Sequence, residues 1–437
     1  MEATSHFSLM GAVLFRPSLF LARIRTIRNN ACIWFYQMKL FLRLVQTRCI
    51  DGIVKTASIT NRTFWLKLLE TEWQRPILWL AGVRRVGKTC LCQSIKGIDY
   101  FDCELPRVRR LMEDPQSFLD SITNRRIVLD EVHRLDNPSE LLKIAADHYP
   151  DLKIIATGSS TLGASARFKD TLTGRKSDLL MTPMTISDLV DFGREDLRRR
   201  FLRGGLPPFF LEDNPPERWF QEWLDAFWAK DIQELFRLER RHSFQKFLEL
   251  LMTQSGGIFE ASRFARPCEV SRTTISNYLA VLEATFVVSV LRPFTTHRPA
   301  EIVAAPKVYG FDTGFVCYFK GWHELRSDDL GILWEHLVLN EIQAQLQTRR
   351  VHYWRNKGGN EVDFVFAGRG KKPIAIECKW SASNFDPAGM QAFRRHYEKG
   401  ENYVVVNDVD RPIRRSFGNI EVILTNISGL IRALRAS

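Results

Sequence analysis

One short run of residues has the composition that phosphate binding requires. Residues 82–89 match the pattern G-x-x-x-x-G-K-[ST] at every fixed position. The two glycines allow a tight turn, so that backbone N–H groups and the start of a following helix face an anion. Lys88 would reach the β- and γ-phosphates of ATP, and the Thr89 hydroxyl would ligate Mg²⁺. The predicted nucleotide-binding residues are Gly82, Val83, Arg84, Arg85, Val86, Gly87, Lys88, Thr89 and Cys90.

A second motif places two carboxylates after an apolar run. Residues 127–129 are Ile-Val-Leu, and Asp130 and Glu131 follow them. We expect Asp130 to hold Mg²⁺ through water and Glu131 to orient or activate the attacking water. Such a pair on its own is more often an ordinary strand end with solvated acids. Together with the phosphate-binding run, it favours hydrolysis of ATP over binding alone.

Two further sites are weaker candidates. Thr157, Ser159 and Ser160 follow another apolar run and could sense the γ-phosphate, although a cap on the next helix is the alternative. Arg175 could supply charge to the transition state, in its own chain or from a neighbouring subunit. A solvated arginine explains Arg175 equally well.

These motifs require a scaffold that brings strand ends together. Short apolar runs at residues 77–81, 126–129, 153–156 and 178–181 alternate with helix-like segments. This alternation predicts an α/β fold in which a parallel sheet carries helices on both faces. Parallel sheets collect ligands at the carboxyl ends of their strands. The expected architecture is therefore that of a P-loop nucleotide hydrolase (NTPase).

Motifs along the whole chain resemble one family. The phosphate-binding run and the acidic strand look like those of the AAA superfamily of ATPases. Later segments resemble, in the same order, motifs of prokaryotic ATP-binding proteins that join an AAA domain to a C-terminal domain of unknown function 4143. These segments are residues 183–189, 204–207, 306–314, 361–365 and 376–379. The resemblance covers roughly residues 62–437, and the sequence departs from it at Leu206 and at residues 184–186.

The resemblance and the composition together predict five successive parts. They are a basic N-terminal extension at residues 1–61, an AAA-type ATPase domain at 62–190, a helical linker or lid at 191–243, a winged helix-turn-helix at 244–300 and a nuclease-like domain at 301–437.

The winged helix is predicted from residues 259–291. Residues 259–264 can form a short helix, Ser271 would cap a second helix that includes residues 275–282, and residues 286–291 would form the wing. The second helix leaves four side chains on its outer face, namely Arg272, Thr273, Ser276 and Asn277. Small polar residues and arginine at such a position suit DNA contact. A structural role as a lid or packing module is an equal alternative.

The C-terminal acids resemble those of the restriction-endonuclease-like fold. Asp363 and the pair Glu377 and Lys379 lie on successive predicted strands, and Glu335 lies on the preceding helix. Because side chains alternate along a strand, Glu377 and Lys379 share a face. The resemblance implies that Asp363 and Glu377 hold Mg²⁺ against a phosphodiester, that Lys379 positions or activates water, and that Glu335 adds a further acid. Binding without cutting, or a structural ion pair, is the alternative.

The composition excludes several classes of protein. The chain has 437 residues, of which 45% are hydrophobic and 26% charged, as in soluble globular proteins. No apolar run is long enough for a membrane span. The eight cysteines form no C-x-x-C pair, which favours free thiols in the cytoplasm over a zinc site. Roughly half of the net charge of +12 lies in residues 1–50. That stretch suits a transit peptide, a surface helix or an upstream artefact of a start at Met38.

We therefore expect a cytoplasmic, Mg²⁺-dependent ATPase whose nucleotide state is coupled to a C-terminal half that acts on DNA. The alternative is a nucleotide-gated switch whose C-terminal domain only binds a protein partner. A homo-oligomer is compatible with either function, and a membrane-surface ATPase is a weaker third hypothesis.

Overall fold

The computed structural model describes residues 60–158, 171–233, 236, 238, 240–296, 305–368 and 370–436. Nearly all of the predicted basic extension lies outside the described residues, as do Ser159 and Ser160. Thr60–Ser437 forms one compact unit. Within the described ranges, no helix is both long and apolar enough to cross a membrane, and each of the six cysteines is a free thiol.

A parallel sheet forms the N-terminal part of this unit, as predicted. Its strands are β1 (Ile77–Ala81), β2 (Asp99–Asp102), β3 (Arg126–Asp130), β4 (Lys153–Thr157) and β5 (Lys176–Leu180), in the order β2-β3-β4-β1-β5. Helices flank the sheet, so Leu78 and Leu80 pack into one apolar cluster, and Ile77 and Trp79 pack into the other. Burial on both faces explains why the three central strands, β3, β4 and β1, read as continuous apolar runs rather than alternating ones. The flanking helices are α1 (Thr63–Glu72), α2 (Lys88–Ser94), α3 (Pro106–Leu111), α4 (Pro115–Ser121) and α5 (Pro138–His148).

A helical segment follows the sheet. It contains α6 (Ile186–Asp191), α7 (Leu197–Arg203), α8 (Pro207–Leu211), α9 (Arg218–Ala226) and a π-helix at Phe227–Gln233. Aromatic side chains fasten this segment to the later helix α13 (Thr313–Lys320). Phe220 stacks on Tyr318 with ring centroids 4.6 Å apart, and Trp223 meets Phe315 edge-on at 4.8 Å.

A small antiparallel sheet comes next. Its surroundings are α10 (Arg241–Thr253), α11 (Ala261–Ala265) and α12 (Arg272–Ala284), and its strands are β6 (Gly257–Ile258), β7 (Val288–Leu291) and β8 (Lys307–Gly310). Ser271 caps α12, because its Oγ accepts the Thr274 N–H at 3.1 Å. The strand β8 lies between β6 and β7. The boundary predicted between residues 300 and 301 therefore separates β8 from both of its partners.

A mixed six-stranded sheet completes the unit. Its strands are β9 (His352–Arg355), β10 (Glu361–Phe366), β11 (Ile374–Cys378), β12 (Asn402–Val405), β13 (Ile413–Phe417) and β14 (Ile420–Thr425), in the order β13-β14-β12-β11-β10-β9. The accompanying helices are α14 (Asp329–Leu346), α15 (Ala388–His396) and α16 (Ile427–Ala436). Ile376 belongs to the apolar cluster of α14 and α16, whereas Ala375 packs with Phe393 of α15. Both faces of the sheet are thus covered.

Three of the segments that carried the family resemblance meet in a buried joint. The Met184 N–H donates to the Gly205 carbonyl at 2.7 Å, and Gly205 N–H donates to Asp312 Oδ2 at 2.6 Å. Arg200 Nε donates to the Met184 carbonyl at 2.9 Å, and Nη1 donates to Thr313 Oγ1 at 3.0 Å. Burial raises the pKa of Asp312 and lowers that of Arg200, and each charge opposes the shift of the other. The joint therefore ties the segment after the parallel sheet to the C-terminal half.

Gly204 offers a direct test of this joint. Its φ of 82° favours glycine, and a Cβ there would lie 2.0 Å from Asp312 Oδ1. We expect Gly204→Ala to lower the free energy of unfolding by about 2 kcal/mol or more, measured by chemical denaturation. The control is Gly331→Ala in α14, where a Cβ meets nothing within 4 Å, and it should be neutral or slightly stabilising. Equal stability of the Gly204→Ala protein and the wild type would contradict the role given to the joint.

Candidate functional site

The carboxyl edge of the parallel sheet carries the phosphate-binding loop, residues 82–87, between β1 and α2. Gly82 has a φ of 148°, and a Cβ on it would lie 2.4 Å from the Met181 carbonyl oxygen. Gly87 has a φ of 107° and is the residue before α2. Backbone geometry therefore favours glycine at both positions, and the close approach of Met181 requires it at Gly82 as well.

Lys88 lies over this loop. Its Nζ donates to the carbonyl oxygens of Gly82 at 2.9 Å and Val83 at 3.2 Å. Burial lowers the pKa of Lys88, and the carboxylates of Glu131 and Asp231 act in the opposite direction. The Lys88 ammonium group therefore lies within electrostatic range of two carboxylates, those of Glu131 and Asp231.

Three hydroxyl groups hold the carboxylate of Asp130. Thr89 Oγ1 donates to Oδ2 at 2.9 Å, the Tyr100 hydroxyl donates to the same oxygen, and Thr157 Oγ1 donates to Oδ1. Thr89 and Asp130 are thus in direct contact, and both offer the oxygen atoms that Mg²⁺ prefers. The structure also brings in Tyr100, which sequence reasoning missed, because only the pairing of β2 with β3 places it beside Asp130.

Glu131 has a strained backbone and an ionised side chain. Its φ of 55° is unusual for a residue other than glycine, and such strain clusters at functional sites. Its N–H donates to Thr157 Oγ1 at 3.1 Å, and its Oε2 lies 3.2 Å from His133 Nδ1. Burial acts to raise the pKa of Glu131, but His133 and Lys88 hold it below its ordinary value. An ionised carboxylate at this position suits a general base.

The other residues of the loop have different environments. The side chains of Val83 and Val86 are buried in the apolar core, which leaves only their backbone groups to face a ligand. Arg84 Nε lies 3.2 Å from Asp231 Oδ2. Arg85 is exposed with a φ of 64°, and Cys90 is exposed on α2.

Arg175 lies at the opposite edge of the sheet. It directly precedes β5, and its carbonyl accepts the Ile77 N–H at the start of β1. Its guanidinium binds Asp147 at 2.6 and 3.0 Å. A strand of five residues spans roughly 16 Å. Arg175 therefore does not reach the loop of its own chain, which corrects the prediction of a role there.

The four predicted C-terminal residues come together as the carboxylate cluster, defined as Glu335, Asp363, Glu377 and Lys379. Lys379 Nζ lies 3.0 Å from Glu377 Oε2 and 3.7 Å from Asp363 Oδ2. The N–H of Cys378 donates to Asp363 Oδ2 at 2.8 Å. Burial and the charge of Asp363 raise the pKa of Glu377 and bring that of Glu335 to about 8.

The strand β8 covers this cluster. The Tyr309 hydroxyl donates to Glu335 Oε2 at 2.9 Å, and Lys307 pairs with Glu361. Tyr309 and Lys307 are only 1% and 5% exposed. Sequence reasoning missed both residues as members of the cluster, although they lie in a segment that carried the family resemblance. Among the residues the structure describes, no group of three or more His, Cys, Asp or Glu side chains is arranged to hold a metal ion.

Comparisons with known proteins match the chain in three consecutive parts. A family model described as an AAA domain matches residues 74–190. A model described as a domain of unknown function, numbered 8612, matches residues 194–326, and another, numbered 4143, matches residues 330–426.

Related chains are similar over most of this length. An uncharacterised protein of Mycobacterium tuberculosis and one of Mycobacterium bovis are each 26% identical over 331 residues, which is 74% of this chain and 74% of each relative. Among solved structures, a Walker-type ATPase of Pyrococcus abyssi is 17% identical with a TM-score of 0.39, covering 62% of this chain and 99% of that one.

Thr157 links the two acidic residues, so its hydroxyl group should matter for turnover. We expect Thr157→Val to lower kcat for ATP about tenfold or more, with a smaller change in KM, because Asp130 and Glu131 both lose a partner. Steady-state measurement of phosphate release checks this. Thr157→Ser keeps the hydroxyl and should retain most of the activity. Wild-type kcat in the Thr157→Val protein would show that this hydroxyl positions neither acid.

Proposed function

Since the chain carries an AAA domain followed by a domain of unknown function 4143, and so belongs to the AAA superfamily, we propose that it hydrolyses ATP with Mg²⁺ and that its nucleotide state controls the C-terminal half. The observation that carries this proposal is the convergence of Lys88, Thr89, Asp130 and Glu131 at one sheet edge.

Each of these residues has a separate role. Lys88 binds the β- and γ-phosphates, and Glu131 accepts a proton from the attacking water. Thr89 and Asp130 would hold Mg²⁺, which fits because their adjacent oxygen atoms suit a hard cation. When bound, the cation neutralises charge on the phosphates. Thr157 and Tyr100 keep Asp130 in place through their hydroxyl groups.

Two substitutions separate nucleotide binding from hydrolysis. Lys88→Ala should abolish ATP binding, and Glu131→Gln should bind ATP but release phosphate at least about 100-fold more slowly. Binding of a fluorescent ATP analogue and phosphate release give the two readings. Lys67→Ala and Glu113→Gln alter exposed residues and serve as controls. Wild-type protein that binds no nucleotide would overturn the proposal.

DNA is the proposed target of the C-terminal half. The order α10-β6-α11-α12-β7-β8, with its three strands paired in one small sheet, is compatible with a winged helix and supports this proposal. The helix α12 presents its outer-face residues to solvent, where they can meet a DNA groove; they are Arg272, Thr273, Ser276 and Asn277. This exposed polar face supports DNA contact over a purely structural role.

The carboxylate cluster supports cleavage of DNA. Asp363 and Glu377 would supply two carboxylate ligands to Mg²⁺, a cation that commonly completes its shell with water and phosphate oxygens. Lys379 contacts both acids and can orient a water molecule. Asp363 and Glu377 are buried, so the structure around them has to open before a phosphodiester reaches both acids.

The burial of the cluster also favours a second function. In the arrangement described, Lys307 and Lys379 compensate the buried acids, so the cluster acts as an ion-pair network between β8 and the C-terminal sheet. A protein that uses this network only as a joint would be a nucleotide-gated switch for a protein partner.

A cleavage assay distinguishes these two functions. With ATP and Mg²⁺, Asp363→Ala and Lys379→Ala should each reduce DNA cleavage at least about 100-fold and leave ATP hydrolysis intact. Glu398→Ala, at an exposed acid outside the cluster, should cut like wild type. If wild-type protein cuts neither DNA nor RNA under any nucleotide condition, the switch is the better description.

A further inference from the structure

A carboxylate from the helical segment lies against the phosphate-binding loop. Asp231 is part of the π-helix Phe227–Gln233, and its Oδ2 accepts a hydrogen bond from Arg84 Nε at 3.2 Å. Asp231 is 8% exposed, so this pair is largely shielded from water. π-Helices are rare and occur frequently at functional sites. Nothing in the sequence pattern or in the family matches assigns a role to Asp231.

Two further contacts fasten the same segment near the loop. The Trp223 Nε1–H donates to the Arg84 carbonyl oxygen at 3.1 Å. Lys230 Nζ lies 3.9 Å from Glu104, which follows β2 at the same edge of the sheet. The side chain and the backbone of one loop residue, Arg84, are thus both bound to residues 223–231.

The charge of Asp231 also reaches Lys88. After Glu131, Asp231 is the carboxylate that acts most strongly to raise the pKa of Lys88. Burial raises the pKa of Asp231, whereas Arg84 and Lys88 lower it. Asp231 therefore binds Arg84 directly and adds negative charge near Lys88, the cation that a bound polyphosphate requires. Phosphate oxygens and Asp231 carry like charges, and in a shielded site their repulsion is weakly screened.

We propose that Asp231 senses the γ-phosphate, because it competes with the phosphates for Arg84 of the phosphate-binding loop. ATP displaces Asp231 from Arg84 more effectively than ADP does, since ATP places one more phosphate beside Lys88. Displacement breaks the Arg84–Asp231 ion pair and releases the π-helix from the loop. This inference rests on the proposed function, in which the loop binds ATP.

A continuous row of aromatic contacts connects the π-helix to α12 through α10. Trp228 of the π-helix packs on Phe244 of α10 with ring centroids 5.5 Å apart, and Phe244 meets Tyr278 of α12 at 5.2 Å. Tyr278 is buried, whereas the preceding residue of α12, Asn277, is exposed. Movement of the π-helix therefore alters the aromatic packing against α12, the helix proposed to contact DNA.

Affinity measurements on the full-length chain test this sensor. The probes are a non-hydrolysable ATP analogue and ADP, each with Mg²⁺. We expect Asp231→Asn to raise the affinity for the ATP analogue about tenfold and the affinity for ADP by less, so that the ratio of the two increases. Asp231→Glu keeps the charge and should preserve the wild-type ratio. Asp225→Asn, an exposed acid on α9, is the matched control and should change neither affinity.

Hydrogen exchange gives a second reading that a merely structural role would not produce. In wild type, the ATP analogue should increase amide exchange across residues 223–233, and ADP should increase it less. In Asp231→Asn, exchange there should be high without nucleotide.

Three outcomes would overturn the sensor. One is an unchanged ratio of affinities in Asp231→Asn while the wild type binds ATP normally, and this leaves the proposed function intact. Another is an unchanged affinity with a large loss of kcat, which would make Asp231 a catalytic group instead. The third, wild-type protein that binds no ATP, removes the proposed function as well.

Discussion

A buried ion pair between Arg62 and Asp188 anchors the phosphate-binding loop to the segments on either side of the parallel sheet. Arg62 Nε and Nη2 donate to the two Asp188 oxygens at 2.7 Å, and Nη1 donates to the Val86 carbonyl of the loop at 2.8 Å. Burial acts to raise the pKa of Asp188, but Arg62, Thr185 and Trp65 keep it below its ordinary value. Because burying two charges costs free energy, such a pair persists only when every donor and acceptor is satisfied. The shape of the loop thus depends on residues from both ends of the parallel-sheet region.

Glutamate side chains in the two halves of the compact unit have pKa values shifted in opposite directions. Glu131 is partly open to solvent and faces Lys88 and His133, so its pKa falls. Glu335 and Glu377 lose hydration and lie near the Asp363 carboxylate, so their pKa values rise. Environment and not residue type therefore decides which acid is ready to accept a proton. At the phosphate-binding loop, the low pKa of Glu131 favours its ionised form. In the carboxylate cluster, the charges of the acids are compensated by the neighbouring lysines, Lys307 and Lys379.

Three of the segments that resemble the family form the buried joint. Gly205 and Asp312 of these segments, together with Arg200, connect the end of the parallel-sheet region to α7 and α13 through hydrogen bonds. Buried polar groups of this kind are satisfied only in one arrangement, which makes the joint specific. The joint and the aromatic row from Trp228 to Tyr278 give the compact unit two physical links between its halves.

The resemblance to a family implied the four residues of the C-terminal cluster, and the strand β2 was not predicted. The amino-acid sequence by itself determined the phosphate-binding loop, the acidic pair and the other four strands of the parallel sheet. These features are encoded locally, in contiguous motifs and in apolar runs whose length and spacing are direct consequences of strand burial. Only the tertiary structure decided that Arg175 lies at the far edge of the sheet, that Tyr100 supports Asp130, that β8 covers the cluster, and that Asp231 meets the loop. Each of these depends on strand order or on packing between segments distant in sequence, and no local pattern encodes such pairings.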